Sequence, residues 1–244
     1  KGPEYDKKER GKGLANARTY DVITIVWDAE DAGQSDPKIW LKTLSALGKP
    51  VVLILSGEES FAIDPMIESS VSAILTAWSS QPITATFISE VLYGSYNPGS
   101  RLTAGLYDTE GELLFPAGHG LSYTTFEYSG LKLEPADTKN GKVIVARFNV
   151  KNTGKRAGDE VALLYLQKVS VSDAWANGPR LEGFKRTHLK PGETKEIKLN
   201  IRQRNIETID EEMNRNVESG EYKVTIGNEL LTGTFSTYLF ELFF

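Results

Sequence analysis

Phe115-Pro116-Ala117-Gly118-His119-Gly120-Leu121-Ser122-Tyr123-Thr124-Thr125-Phe126-Glu127-Tyr128 marks a change of periodicity in this chain. Upstream, β-branched runs alternate with segments of helical spacing. Downstream, the patterns are those of strands. Gly118 and Gly120 bracket His119 and permit backbone angles closed to other residues. Pro116 stiffens the approach, and Leu121, Tyr123, Phe126 and Tyr128 then supply apolar surface. The stretch reads as a connector that leaves one domain and docks on the next.

Working upstream, Val22–Trp27 and Val51–Leu55 are continuous β-branched or aliphatic runs. Such runs suit strands buried on both faces of a parallel sheet. Between them, Lys38–Leu47 carries apolar residues at helical spacing, with Asp36 as N-cap, Pro37 at the first helical position and Gly48 as the stop. This is one strand–helix–strand unit, expected to be parallel and right-handed. Ile67, Val71, Ile74 and Leu75 suggest a short helix or turn, and Ala73–Trp78 holds a short strand. Ile83–Leu92 reads as a helix. Tyr93–Gly105, broken by Asn97-Pro98-Gly99, reads as a turn-rich loop.

Working downstream, strands are expected at Leu131–Leu133, Val143–Val150, Glu160–Gln167, Leu181–Leu189, Lys195–Ile201 and Tyr222–Ile226. Turn signals separate them, among them Asn140-Gly141, Asn152-Thr153-Gly154, Pro191-Gly192 and Ser219-Gly220. The apolar end, Thr234–Phe244, reads first as a last strand; an interface segment or a frame artefact are the other readings. About seven short strands so spaced describe a β-sandwich of immunoglobulin or fibronectin type III architecture. The fold class is therefore α/β followed by all-β.

The 244 residues carry a formal charge of −5 and no cysteine. An acidic balance argues against a nucleic-acid partner. Without cysteine there are no disulfides, thiolate metal sites or cysteine nucleophiles. No apolar run approaches membrane-spanning length. The charged opening, Lys1–Gly13, reads as an extended lead-in and not as a signal peptide. His119 and His188 are too far apart to suggest a metal-ligand pair, and no cofactor or metal is expected.

Several stretches together resemble one family. They are Gly48-Lys49-Pro50 through Gly57; Val91-Leu92-Tyr93-Gly94 with Asn97-Pro98 and Arg101-Leu102; and Phe115–Phe126. The sandwich adds Val150 with Asn152-Thr153-Gly154, Arg156–Val161, Leu181–Arg186, Leu189–Glu193 and Gly220-Glu221-Tyr222. In this order, from about Thr19 to Thr234, the chain is similar to the C-terminal part of the family 3 glycoside hydrolases, the β-glucosidase and β-xylosidase group. The resemblance implies a lead-in at residues 1–18 and an incomplete α/β domain at 19–114. A connector follows at 115–122 and a fibronectin type III-like sandwich at 123–244.

The resemblance also implies retaining hydrolysis of O-glycosidic bonds, with β-glucosides the leading substrates and a secreted or periplasmic location favoured. Retention needs two carboxyl groups about 5–5.5 Å apart, a nucleophile and an acid/base. In the family the nucleophile is an aspartate on a preceding (β/α)8 barrel, a module of about 250 residues that these residues do not encode. The implied partner is such a barrel, as a domain or a subunit. The acid/base of many members lies in the loop after a strand matching Val22–Trp27. Here Glu30 is the positional candidate, and a solvated acidic loop is the other reading. Trp175, in Ser172-Asp173-Ala174-Trp175-Ala176-Asn177-Gly178, is the candidate substrate-stacking aromatic. Two departures stand out: Ser79–Ala85 lacks the family's Gly-rich run, and the stretch from Arg101 to Phe115 is short. A non-catalytic carbohydrate-binding or assembly module on the same scaffold is the alternative, as is self-association into a homo-oligomer through the apolar end.

Overall fold

The computed structural model describes residues 12–28, 37–56, 64–77, 82–138, 141–170, 178–210, 212–227 and 229–237. The chain divides into two compact units, Lys1–Tyr93 with Leu106–Phe115, and Gly94–Gly105 with Pro116–Phe244.

In the first unit, a helical segment α1 (12–17) precedes three parallel strands, β1 (Ile23–Asp28), β2 (Val51–Ser56) and β3 (Ala73–Ala77), in the order β1-β2-β3. Val51, Leu53, Ile54 and Leu55 are almost wholly buried, on both faces of the central strand. That two-sided burial is why the run carries no polar alternation. The helices α2 (Pro37–Ser45), α3 (Pro65–Ser70) and α4 (Pro82–Leu92) follow β1, β2 and β3 in turn. Each opens on a proline, whose missing N–H would be unsatisfied there anyway. Leu41 and Leu44 of α2 and Ile67 of α3 supply the buried helix side. Asp64 caps α3 by accepting from the Met66 N–H at 2.9 Å. The helix ends at Ser70, so Ile74 and Leu75 belong to β3 and not to a continued turn. Lys49 Nζ bonds the carbonyls of Arg18 and Tyr20, which ties the residues after α1 to the entrance of β2.

A short hairpin, β4 (Leu106–Tyr107) with β5 (Leu113–Phe115), lies where the sequence gives no strand signal. Its turn is organised by buried Asp108, whose Oδ1 accepts from the N–H groups of Glu110 and Glu112 at 2.8 and 2.7 Å.

The second unit is a sandwich. One sheet has the order β10-β7-β6 and the other β14-β13-β8-β9. The strands are β6 (Phe126–Thr138), β7 (Gly141–Asn152), β8 (Gly158–Lys168), β9 (Arg180–Leu189), β10 (Thr194–Arg202), β13 (Glu221–Ile226) and β14 (Leu231–Ser236). A small ribbon, β11 (Glu207–Ile209) with β12 (Arg215–Val217), adjoins β10 in sequence. Alternate residues fill the space between the sheets: Ile144, Ala146, Phe148 and Val150 from β7; Ala162, Leu164 and Leu166 from β8; Tyr222, Val224 and Ile226 from β13. Strand β6 is much longer than Leu131–Leu133. Pro135 shortens its sequence signal, but β6 is a sheet edge, where the missing N–H breaks no ladder bond. A bulge between Ser129 and Lys132, with Gly130 at φ +70°, re-registers it against β7. The last described strand starts at Leu231 and covers only the first residues of the apolar end; residues 238–244 lie outside the described residues.

Asn152 explains the Asn-Thr-Gly turn. It is fully buried. Its Oδ1 accepts from Thr124 Oγ1 at 2.7 Å and from the Gly154 N–H at 3.0 Å. Its Nδ2 donates to the carbonyls of Arg156 and Leu189 at 2.7 and 3.0 Å. One amide thus joins Thr124, the β7–β8 turn and the end of β9. A Cβ on Gly154 would overlap Thr124 Oγ1, and one on Gly158 would overlap Asn97 Nδ2. Replacing Asn152 with Ala strands two buried partners, Thr124 Oγ1 and the Leu189 carbonyl, and two part-buried ones; a buried group left unsatisfied costs about 1–3 kcal/mol. Asn152→Ala is therefore expected to lower the unfolding free energy by at least about 3 kcal/mol, read from urea denaturation; a loss below a third of that would show that water replaces the amide.

Candidate functional site

The three parallel strands end side by side. Asp28 of β1 pairs in register with Ser56 of β2, and Ser56 with Ala77 of β3. In open α/β sheets, ligands bind beyond this carboxyl edge, where the strand-to-helix loops leave. Helices running back along such a sheet turn their N-termini, with their partial positive charge, toward the same edge. Ser56 is 9% exposed. The row behind it holds Trp27, Leu55 and Thr76, so the edge sits on a packed layer.

Glu30 follows β1 by two positions, and the Ser56-Gly57-Glu58-Glu59 stretch opens the loop after β2. Glu30, Gly57, Glu58, Glu59 and Trp78 lie outside the described residues, as does Trp175 in the loop between β8 and β9. The structure therefore gives the anchor of the Glu30 loop at Asp28, and the anchors of the Trp175 loop at Lys168 and Arg180.

Two polar clusters on the sandwich have no counterpart in the sequence reading. The first is buried. Glu160 of β8 is 4% exposed. Its Oε2 pairs with Arg101 Nη2 at 2.5 Å, and its Oε1 accepts from Tyr128 Oη at 2.7 Å. Burial pushes its carboxyl above the ordinary 4.5, while the Arg101 charge and the bonds from Tyr128 and Arg101 pull the other way. Burial and the Glu160 charge likewise push the Tyr128 phenol far up. A carboxyl with a raised pKa is a recognised marker of acid/base function. Here both oxygens are engaged and solvent is excluded, so the group holds parts of the fold together. His119 has a related setting: burial, then the Arg101 charge, lowers its imidazole below 6.5. Its carbonyl accepts from the Leu102 N–H at 2.8 Å. It is a turn residue of the connector.

The second cluster faces solvent. Arg186 Nε pairs with Asp159 Oδ2 at 2.6 Å, and His188 Nδ1 meets Asp159 Oδ1 at 2.7 Å. Arg186 Nη2 donates to Tyr96 Oη at 2.5 Å. Tyr96 and Arg186 lie 90 residues apart, so no local motif announces the cluster. Among the described residues no group of three or more His, Cys, Asp or Glu could hold a metal ion.

With this geometry in view, residues 15–123 match the glycosyl hydrolase family 3 C-terminal domain, and residues 160–229 match the fibronectin type III-like domain. The chain is 32% identical over 220 residues to a xylan 1,4-β-xylosidase of Xylanibacter ruminicola, covering 80% of this chain and 25% of that protein. It is 31% identical over 220 residues to a periplasmic β-glucosidase of Salmonella typhimurium, covering 77% of this chain and 28% of that one. Among solved structures, β-glucosidase 3B from Thermotoga neapolitana, in complex with α-D-glucose, superposes with a TM-score of 0.76 at 25% identity. That superposition covers 93% of this chain and 39% of the other. The chain belongs to the family 3 glycoside hydrolases and comprises their C-terminal α/β portion and fibronectin type III-like domain. It spans between 25% and 36% of the length of the first curated relatives it matches.

The Glu160 cluster yields a pH prediction. With a folded-state pKa above 4.5, the unfolded chain loses this proton first as pH rises. The stability linked to the protonated form is full below 4.5 and is lost as pH rises through the raised value. Glu160→Gln, which cannot titrate, should flatten that part of the pH–stability curve. Glu160→Ala leaves Arg101 buried and unpaired and should cost about 3–5 kcal/mol at neutral pH. Parallel curves for Glu160→Gln and the parent would refute the assignment.

Proposed function

We propose that this chain is the sheet-and-sandwich portion of a retaining β-glycosidase, acting on β-glucosides first, and that it works with a (β/α)8 barrel carrying the nucleophilic aspartate. The observation that carries the reading is the in-register carboxyl edge Asp28–Ser56–Ala77 within a stretch that matches the family's C-terminal domain. The proposed division is an α/β domain at 19–114, a connector at 115–122 and a sandwich at 123–244. The names of the relatives, β-xylosidase and β-glucosidase, support β-linked sugars as the substrate class.

Glu30 is the proposed acid/base, because it follows the last residue of β1, Asp28, by two positions in the sequence. In a retaining mechanism that group protonates the departing glycosidic oxygen while the nucleophile forms the glycosyl-enzyme. It then takes a proton from the water that releases the sugar. Trp175 is the proposed stacking aromatic for a pyranose face.

The test is turnover of aryl β-glucosides and β-xylosides by this chain alone and when fused or mixed with a family 3 barrel. The expected outcome is no turnover alone and turnover with the barrel. No gain from any barrel would overturn the reading. In the active assembly, Glu30→Gln should lower kcat about 10²–10⁴-fold, and Trp175→Ala should raise KM with little change in kcat. An active Glu30→Gln assembly would remove Glu30 from the chemistry.

A further inference from the structure

Tyr96 and Tyr123 of the sandwich unit are 38% and 44% exposed, yet both are held in place. Tyr96 Oη accepts from Arg186 Nη2, and Arg186 is fixed in turn by its ion pair with Asp159. Asp159 also holds His188 through Nδ1. The Tyr123 ring carries the Arg156 guanidinium 5.6 Å from its centroid, and Arg156 Nη2 donates to the Gly94 carbonyl at 2.6 Å. Asn97 joins the two tyrosines. It follows Tyr96 in the chain, and its Oδ1 accepts from the Tyr123 N–H at 2.7 Å. The turn lies flat on β8: a Cβ on Gly99 would come within 2.6 Å of the Asp159 carbonyl oxygen.

This is an unusual use of exposed side chains. A solvent-facing tyrosine ordinarily gains rotamer freedom by staying loose, and ordering it on binding costs free energy. Here the ordering is already done. Tyrosine offers a rigid, amphipathic face at low entropic cost. The surrounding groups add directional polar chemistry: the remaining guanidinium N–H groups of Arg186, the carboxylate of Asp159 and the Nε2 of His188. The patch is small and its charges are paired. A stable protein interface needs about 800 Å² from each partner, more than two rings and a polar rim provide. A pyranose chain fits the same features. Its axial C–H faces pack on aromatic rings, and its hydroxyls both donate and accept.

We propose that this face of the sandwich binds an extended, neutral polysaccharide chain, with sugar rings stacked on Tyr96 and Tyr123 and hydroxyls bonded to Arg186, Asp159 and His188. The inference rests on these residues and not on whether the chain cleaves a glycosidic bond.

The test is native affinity electrophoresis of the full chain through gels containing soluble xylan or hydroxyethyl cellulose, with dextran as the α-linked comparison. Retardation is expected with at least one β-linked polymer. Tyr96→Ala/Tyr123→Ala should weaken it about tenfold or more, equivalent to at least about 1.4 kcal/mol. Ile209→Ala, an exposed apolar change on β11, should leave it unchanged. The unfolding midpoint of each variant checks its fold. Should the double variant not fold, the single variants and Arg186→Ala carry the test, each expected to weaken retardation measurably. No retardation of the parent by either β-linked polymer, or retardation unaltered in the folded tyrosine and Arg186 variants, would overturn the proposal. Capture of a protein instead of a glycan by this face would do the same.

Discussion

The carboxylate of Glu160 is the group on which the sandwich unit depends. Burying a charge is costly unless it is paired and hydrogen-bonded. Glu160 meets both conditions only because chain segments distant in sequence converge on it. Arg101 arrives from the loop after α4, and Tyr128 from the strand that follows the connector. If Arg101 leaves, the carboxylate is stranded; if Tyr128 leaves, Oε1 loses its hydrogen bond. The loop 94–105 is therefore part of the sandwich's structure rather than slack between elements. Tyr165 reinforces this by donating to the Thr103 carbonyl at 3.0 Å, and the Gly118 N–H donates to the Leu102 carbonyl at 2.7 Å. Paired polar groups of this kind are weak sources of net stability and strong specifiers of one arrangement when every member is satisfied.

The same convergence explains why the family-like motifs read as they do. Asn97-Pro98-Gly99, Asn152-Thr153-Gly154 and Gly158-Asp159-Glu160 are not independent turns. Asn97 accepts from Ser122 Oγ and the Tyr123 N–H, Asn152 accepts from Thr124, and Gly154 and Gly158 leave room for the partners of those amides. Each motif is half of a contact whose other half lies elsewhere in the chain.

Much of the architecture was legible because it rests on local chemistry. Val51–Leu55 reads as a doubly buried strand, and it is one. Pro37 reads as the first helical position, as its missing N–H favours, and α2 starts there. Alternation in Val143–Val150 separates Ile144, Ala146, Phe148 and Val150 from Val143, Val145, Arg147 and Asn149, and the structure puts the first set in the core. What escaped were elements with weak or contradictory local signals. Pro135 hid the length of β6, and the hairpin β4–β5 depends on the Asp108 turn rather than on apolar alternation. Of the site, the sequence offered Glu30 and Trp175 by position alone. The sandwich clusters around Glu160 and Arg186 passed unnoticed because charged residues scattered along strands look like ordinary surface.

The amino-acid sequence by itself determined the order of elements, the switch from mixed to all-β structure at Phe115–Tyr128, and the family. All three are written in periodicity, turn residues and short motifs, which act over a few positions. Tertiary structure alone decided which charged residues are buried and which face water. Glu160 and Asp159 are neighbours in one strand with similar chemistry. One is sealed against Arg101 and Tyr128, and the other stands on the surface holding Arg186 and His188. The cause is the alternation of side chains across a strand, combined with distant segments that cover one face and supply partners there. No local reading of residues 159 and 160 contains those partners.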